Sequence, residues 1–186
     1  PAFDGAGEPL GDVRRDVEQV TTGSGDDRFS GDDDAELQTK PRIAMAMLQR
    51  AIDARVPFTW FTADEAFGQV KYLRAWLQER DVFHVVATRC NDDVTAHDIG
   101  HGRVDEIIAG LPDEAWRRLS CGDGAHGPRL YDWARVPIGS DWATGRGHWL
   151  LARRSISDPT EIAYYICYAH RQTSLNVLVW VAGRRW

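Results

Sequence analysis

One stretch decides most of what this chain can fold into: Val56-Pro57-Phe58-Thr59-Trp60-Phe61-Thr62-Ala63-Asp64-Glu65-Ala66-Phe67-Gly68. An apolar run with β character over residues 56–63 stops at an acidic pair and a glycine. The spacing of Val70, Leu73, Trp76 and Leu77 then predicts a helix over residues 69–80. A second apolar run, residues 82–88, reads as a buried strand. Ile43, Met47, Leu48 and Ile52 predict a helix over residues 41–55, with Pro41 suited to its first turn. Helix, strand, helix, strand with short links is the pattern of a parallel α/β unit. In such sheets, ligands bind where strands end and helices begin. Asp64 stands at that place, either as a ligand in a crevice or as a cap on the following helix.

The charge is unevenly spread. The net charge is −6, yet residues 1–40 hold eleven acidic and four basic side chains, so the rest is close to neutral. Residues 1–38 are rich in Gly, Asp and Ser and show neither helical nor strand period, apart from a possible helical turn near residues 13–20. Such a segment buries too little apolar surface to offset its ordering entropy and reads as an acidic, disordered leader. Its aspartates lack the register of a calcium loop. The chain has no apolar run long enough to span a membrane and no basic-then-apolar start. Three scattered cysteines, Cys90, Cys121 and Cys167, fit a reducing cytoplasm. The first residue is Pro1, as in a processed or partial chain.

Beyond Arg89, residues 104–111 and 112–119 read as two short helices, the second opened by Pro112-Asp113-Glu114. Residues 130–137, 148–156 and 161–169 read as strands of an antiparallel meander. Residues 173–186 carry helical register and a cap at Thr173 or Ser174, although the run 177–181 also suits a strand. His97 and His101 are four apart, but Gly100 weakens a helix there, so two loop histidines are favoured over a zinc pair. Cys121 near His126 lacks an orienting partner for a thiol nucleophile. Trp133, Trp142 and Trp149 could stack on a flipped base, with packing the favoured role. The pairs Arg117-Arg118, Arg153-Arg154 and Arg184-Arg185 could contact phosphates.

Several blocks together resemble the DDE-class transposases of bacterial insertion sequences. They are Thr39-Lys40-Pro41-Arg42, then Thr62-Ala63-Asp64-Glu65-Ala66-Phe67-Gly68-Gln69, then Gly147-His148-Trp149-Leu150-Leu151-Ala152-Arg153-Arg154-Ser155, and Val181-Ala182-Gly183-Arg184-Arg185-Trp186. The resemblance covers residues 39–186. It implies an α/β fold: an incomplete RNase H-like domain with an antiparallel, β-rich insertion at about residues 90–172. It implies metal-dependent DNA cleavage and strand transfer, with Mg²⁺ held by three carboxylates. Asp64 matches the second of these, as catalytic residue and metal ligand. Arg153, Arg154, Arg184 and Arg185 are the expected DNA contacts, with transposon ends as partner and a homo-oligomer possible.

The family's first aspartate belongs on a strand upstream of residue 39, and no aspartate of residues 1–38 lies in an apolar run. Its glutamate belongs about three residues past Trp186. The resemblance therefore implies a partial catalytic domain, inactive alone. The rival readings are a non-catalytic nucleic-acid-binding or interaction remnant and a degenerate reading frame without function.

Overall fold

The computed structural model describes residues 39–125, 127–139 and 145–184. The expectations for residues 1–38, and for His126, Trp142 and Arg185, lie outside the described residues.

The chain opens with helix α1 (Lys40–Asp53), which carries Pro41 in its first turn. Ala44 and Leu48 are its buried face. Strand β1 (Trp60–Ala63) follows, shorter than the apolar run suggested, because residues 56–59 take no strand partner. The helix expected over 69–80 is α3 (Lys71–Glu79), and an unexpected four-residue helix, α2 (Glu65–Gly68), precedes it. Strand β2 (Phe83–Thr88) then pairs with β1 in parallel, Trp60 opposite Phe83 and Ala63 opposite Val86. The parallel α/β unit is as expected.

The placement of α2 has a packing cause. A Cβ on Gly68 would stand 1.9 Å from the carbonyl oxygen of Ala87 and 3.0 Å from Val86 Cβ. Helix α2 therefore lies against the backbone of β2, and only glycine permits that approach. Gly68→Ala should force the two apart and lower stability by roughly 1–3 kcal/mol, the usual cost of overpacking. Urea unfolding of the variant beside the parent checks this, and an unchanged midpoint would contradict the close packing.

After β2 the chain makes a small hairpin where no element is expected: β3 (Asp93–Ala96) and β4 (Gly100–Arg103). Helix α4 (Val104–Ala109) follows as expected. The helix expected over 112–119 is only a 3₁₀ turn, Asp113–Ala115, after which the chain enters strand β5 (Arg117–Gly124). Leu119 pairs with Tyr131 and Arg117 with Trp133, so cross-strand pairing overrides the acidic helix-start signal. Gly122 to Gly124 belong to β5, within and beyond a register shift between Ser120 and Asp123. Strands β6 (Gly127–Pro137), β7 (Arg146–Arg154) and β8 (Ile162–His170) form the expected antiparallel meander. Helix α5 (Leu175–Gly183) settles the last ambiguity. Ser174 caps it by accepting the Val177 N–H.

The meander is not a separate layer. Strand β8 pairs antiparallel with β2, giving one six-stranded sheet in the order β1-β2-β8-β7-β6-β5. Alternate residues feed two cores. Phe61, Val86, Leu150 and Ile166 face α1, α3 and α4, with Leu48, Leu73, Leu77 and Ile108. Trp60, Val85, Trp133, Leu151 and Tyr165 face α5, with Leu178, Val179 and Val181. Each fully buried leucine contributes about 1.5–3 kcal/mol. No described helix is long and apolar enough to cross a membrane.

Candidate functional site

Asp64 follows the last residue of β1 directly. Its backbone is extended (φ −78°, ψ −179°) and it occupies the position that would cap α2. The side chain makes no capping hydrogen bond and is exposed. The main-chain carbonyl takes that task, accepting from Phe67 N–H (3.1 Å) and Gly68 N–H (2.7 Å). The carboxylate thus projects from the C-terminal end of a parallel strand, on a backbone fixed by β2 on one side and α2 on the other.

Its neighbours are committed differently. Glu65 accepts a hydrogen bond from Arg89 Nε at 3.1 Å, joining the ends of β1 and β2 through two half-exposed side chains. Asp92 lies in the turn after β2 with its side chain only 7 % exposed. It accepts from Arg74 Nη1 and Thr88 Oγ1, both at 2.8 Å, and from the Asp93 N–H at 3.0 Å. Lys71 Nζ stands 3.7 Å away. Burial pushes the Asp92 carboxyl up, but the Arg74 and Thr88 hydrogen bonds and the charges of Arg74 and Lys71 outweigh it. The group is held below the usual carboxylate range.

Sequence reasoning missed this knot. Its signal was an arginine beside the apolar face of α3, next to Leu73 and three before Leu77, with Asp92-Asp93 just past the next strand.

The strand register brings Arg153, Arg154, Arg117 and Arg118 to the same end of the sheet. Thr88, the last residue of β2, is opposite Tyr164, and Tyr164 is opposite Ala152. Arg153 and Arg154 come next along β7. Trp133 pairs with Arg153 on one side and Arg117 on the other, and Asp132 pairs with Arg154 and Arg118. Asp64, Arg89, Arg153-Arg154 and Arg117-Arg118 therefore mark one edge running across the strand ends.

Their side chains are not equivalent. Arg153 and Arg154 project to opposite faces. Arg153 stacks on Tyr131, with its guanidinium carbon 4.6 Å from the ring centroid. Arg154 stacks on Trp116 at 4.1 Å and lies 3.7 Å from Asp132. Arg118 grips Asp132 through two nitrogens, at 3.0 and 3.3 Å. Arg184 follows α5 and stacks on Trp180 at 4.1 Å.

The other sequence candidates are absorbed by packing. Trp133 and Trp149 are buried in the core facing α5. His97 contacts the Gly139 carbonyl and His101 contacts Thr95 Oγ1, so the two imidazoles have separate partners. Cys121 is buried and donates to the Arg129 carbonyl. Among the described residues, no three His, Cys, Asp or Glu side chains are grouped to hold a metal ion.

No curated protein matches the chain. Residues 18–101, which include Asp64, Glu65, Arg89 and the Asp92 knot, match the family model described as DDE superfamily endonuclease.

Proposed function

We propose that residues 39–186 form the RNase H-like part of a DDE transposase acting on DNA, with residues 1–38 as an acidic leader. Strands β3 to β8, with α4, would represent the insertion of about residues 90–172. The observation that carries the reading is the placement of Asp64: an uncommitted carboxylate at the C-terminal end of a parallel strand, inside the matched segment. The arginines along the same strand ends support it, since a cationic edge beside a carboxylate suits a phosphodiester backbone. Arg153, Arg154 and Arg184 each rest a planar guanidinium group on an aromatic ring, which holds each cation in place. Arg185 belongs to the same proposed contact set.

The expected metal is Mg²⁺, which takes oxygen ligands, retains waters and uses carboxylates together with substrate phosphates. The described residues do not by themselves fit a two-metal centre. Glu65 is paired with Arg89, Asp92 with Arg74 and Asp132 with Arg118, and Asp64 stands apart from these pairs. No catalytic step is therefore assigned through a metal. The remaining carboxylates of the proposed centre would come from beyond the described residues or from a second subunit. The same commitments favour a second reading, a domain that binds DNA without cutting it.

The test is paramagnetic. Mn²⁺ titrated into the chain should broaden the amide resonances of Asp64, Glu65 and Arg89 at millimolar concentration, and Asp64→Asn should remove the effect. No local broadening would overturn the assignment of Asp64. Cleavage of nicked or hairpin duplex DNA by the chain alone should be undetectable, because one carboxylate is too little charge to hold two hydrated dications. Robust cleavage abolished by Asp64→Asn would show that the centre is complete and would refute the binding-only reading.

A further inference from the structure

We propose that Arg89 is a DNA-phosphate contact beside Asp64, and that Glu65 holds it in the unbound protein as an internal stand-in for that phosphate. The inference rests on the reading of this strand edge as a DNA-processing site.

Position comes first. Arg89 follows Thr88, whose backbone is fixed by pairing with Tyr164 and whose hydroxyl is fixed by Asp92. Glu65 follows Asp64. The ion pair therefore spans the gap between the two parallel strand ends, next to the exposed carboxylate.

The strength of the pair comes second. The side chains are 55 % and 54 % exposed and meet through one Nε–Oε1 contact at 3.1 Å. Such an exposed, single-contact pair is weak in water. A phosphate, which can take two guanidinium N–H groups at once, competes well against it.

Arg74, Arg118 and Arg154 are bound more firmly. Arg74 is buried on Asp92. Arg118 uses two nitrogens on Asp132, and Arg154 has both Asp132 and the Trp116 ring. Lys71 is exposed, but its partner Asp92 is also held by Arg74 and Thr88, so neutralising that carboxylate would disturb the fold rather than release a cation. At Arg89, an acidic side chain already occupies the place a substrate oxygen would take, and exchanging it breaks nothing buried. The free protein would then keep this edge electrostatically quenched, and DNA would bind by displacing Glu65.

The experiment measures binding of a fluorescein-labelled 30-base-pair duplex by anisotropy in EDTA, so that metal plays no part, across a range of salt concentrations. Arg89→Ala should weaken binding roughly 3- to 10-fold and reduce the salt slope by about 1. Glu65→Gln should tighten binding about 2- to 5-fold by freeing Arg89, and that gain should vanish in the Arg89→Ala background. Glu65→Gln without a gain, or with the same gain when Arg89 is absent, would overturn the stand-in role and reduce the effect to net charge. Binding indifferent to Arg89→Ala would overturn the contact itself. If neither the parent chain nor Glu65→Gln binds the duplex, the DNA reading of this edge fails together with the inference. Failure of the Mn²⁺ test at Asp64 alone leaves the Arg89 result standing.

Discussion

Asp92→Ala should lower the stability of the fold by about 3 kcal/mol, the low end of the cost of breaking a buried ion pair by removing one partner. The Arg74 guanidinium and the Asp92 carboxylate are 8 % and 7 % exposed, so neither can recover water when the other is lost. The Thr88 hydroxyl and the Asp93 N–H lose an acceptor as well. Because Asp92 ties α3 to the turn after β2, the loss should be cooperative, with a lower urea midpoint and an unchanged slope. Replacing both partners with apolar residues, Arg74→Met with Asp92→Leu, should recover most of the loss, since no buried charge is left alone. If Asp92→Ala alone proves neutral, the knot is solvated in solution and the packing described here is too tight.

The sign of the pH effect follows from the same contacts. Asp92 is held below its ordinary carboxylate range in the folded chain. Its contribution is therefore complete above the unfolded pKa of about 4. It disappears as pH falls from there through the lower folded value. Asp81, lowered chiefly by its hydrogen bond from Arg146, acts in the same direction. The Asp92→Ala penalty should accordingly shrink below about pH 4.

What the sequence made legible and what it hid divide along physical lines. The pairing of β1 with β2, the meander and helix α1 were readable because their apolar periods are strong. Asp64 was readable because a strand ended abruptly at it. The short helix α2 was not, since its place depends on Gly68 meeting the Ala87 carbonyl of β2. The 112–119 segment carried a real helix-start signal, overruled when Leu119 and Cys121 found places in the core facing α5. The β3–β4 hairpin shows in hindsight as the alternation Asp93-Val94-Thr95-Ala96, in which only Val94 and Ala96 are buried. Arg74 and Asp92 were invisible as a pair because their contact is made only once α3 folds back along β2. Their importance lies in burial, which residue identity does not reveal.

His84 should make the fold acid-sensitive at pH values where carboxylates are still ionised. The imidazole is 0 % exposed, at the start of β2. Its Nδ1 lies 3.0 Å from the Val82 carbonyl, which can only accept, so Nδ1 carries the proton. Nε2 has no hydrogen-bond partner among the described residues. The ring stacks on Tyr168 at 5.6 Å, and Tyr168 is anchored by donating its hydroxyl to Asp81 at 2.9 Å. Protonation would place a second N–H in this apolar layer without an acceptor. His148, whose ring meets Tyr168 edge-on at 4.9 Å, and Arg74 add like charge. Burial is the largest cause, and the pKa is lowered from 6.5 to about 4. An unfolded chain thus takes up this proton near pH 6.5, whereas the folded chain resists it until about pH 4. The contribution is intact above pH 6.5 and is lost progressively between those values, up to about 3 kcal/mol. Urea midpoints measured from pH 7.5 to 4.5 should fall across this range. In His84→Phe, which keeps the ring and removes the titration, that part of the decline should disappear even if the variant starts from a lower midpoint. A parent and variant with parallel pH profiles would show that His84 opens to water before it charges, and the buried, unpartnered Nε2 could not then describe the protein in solution.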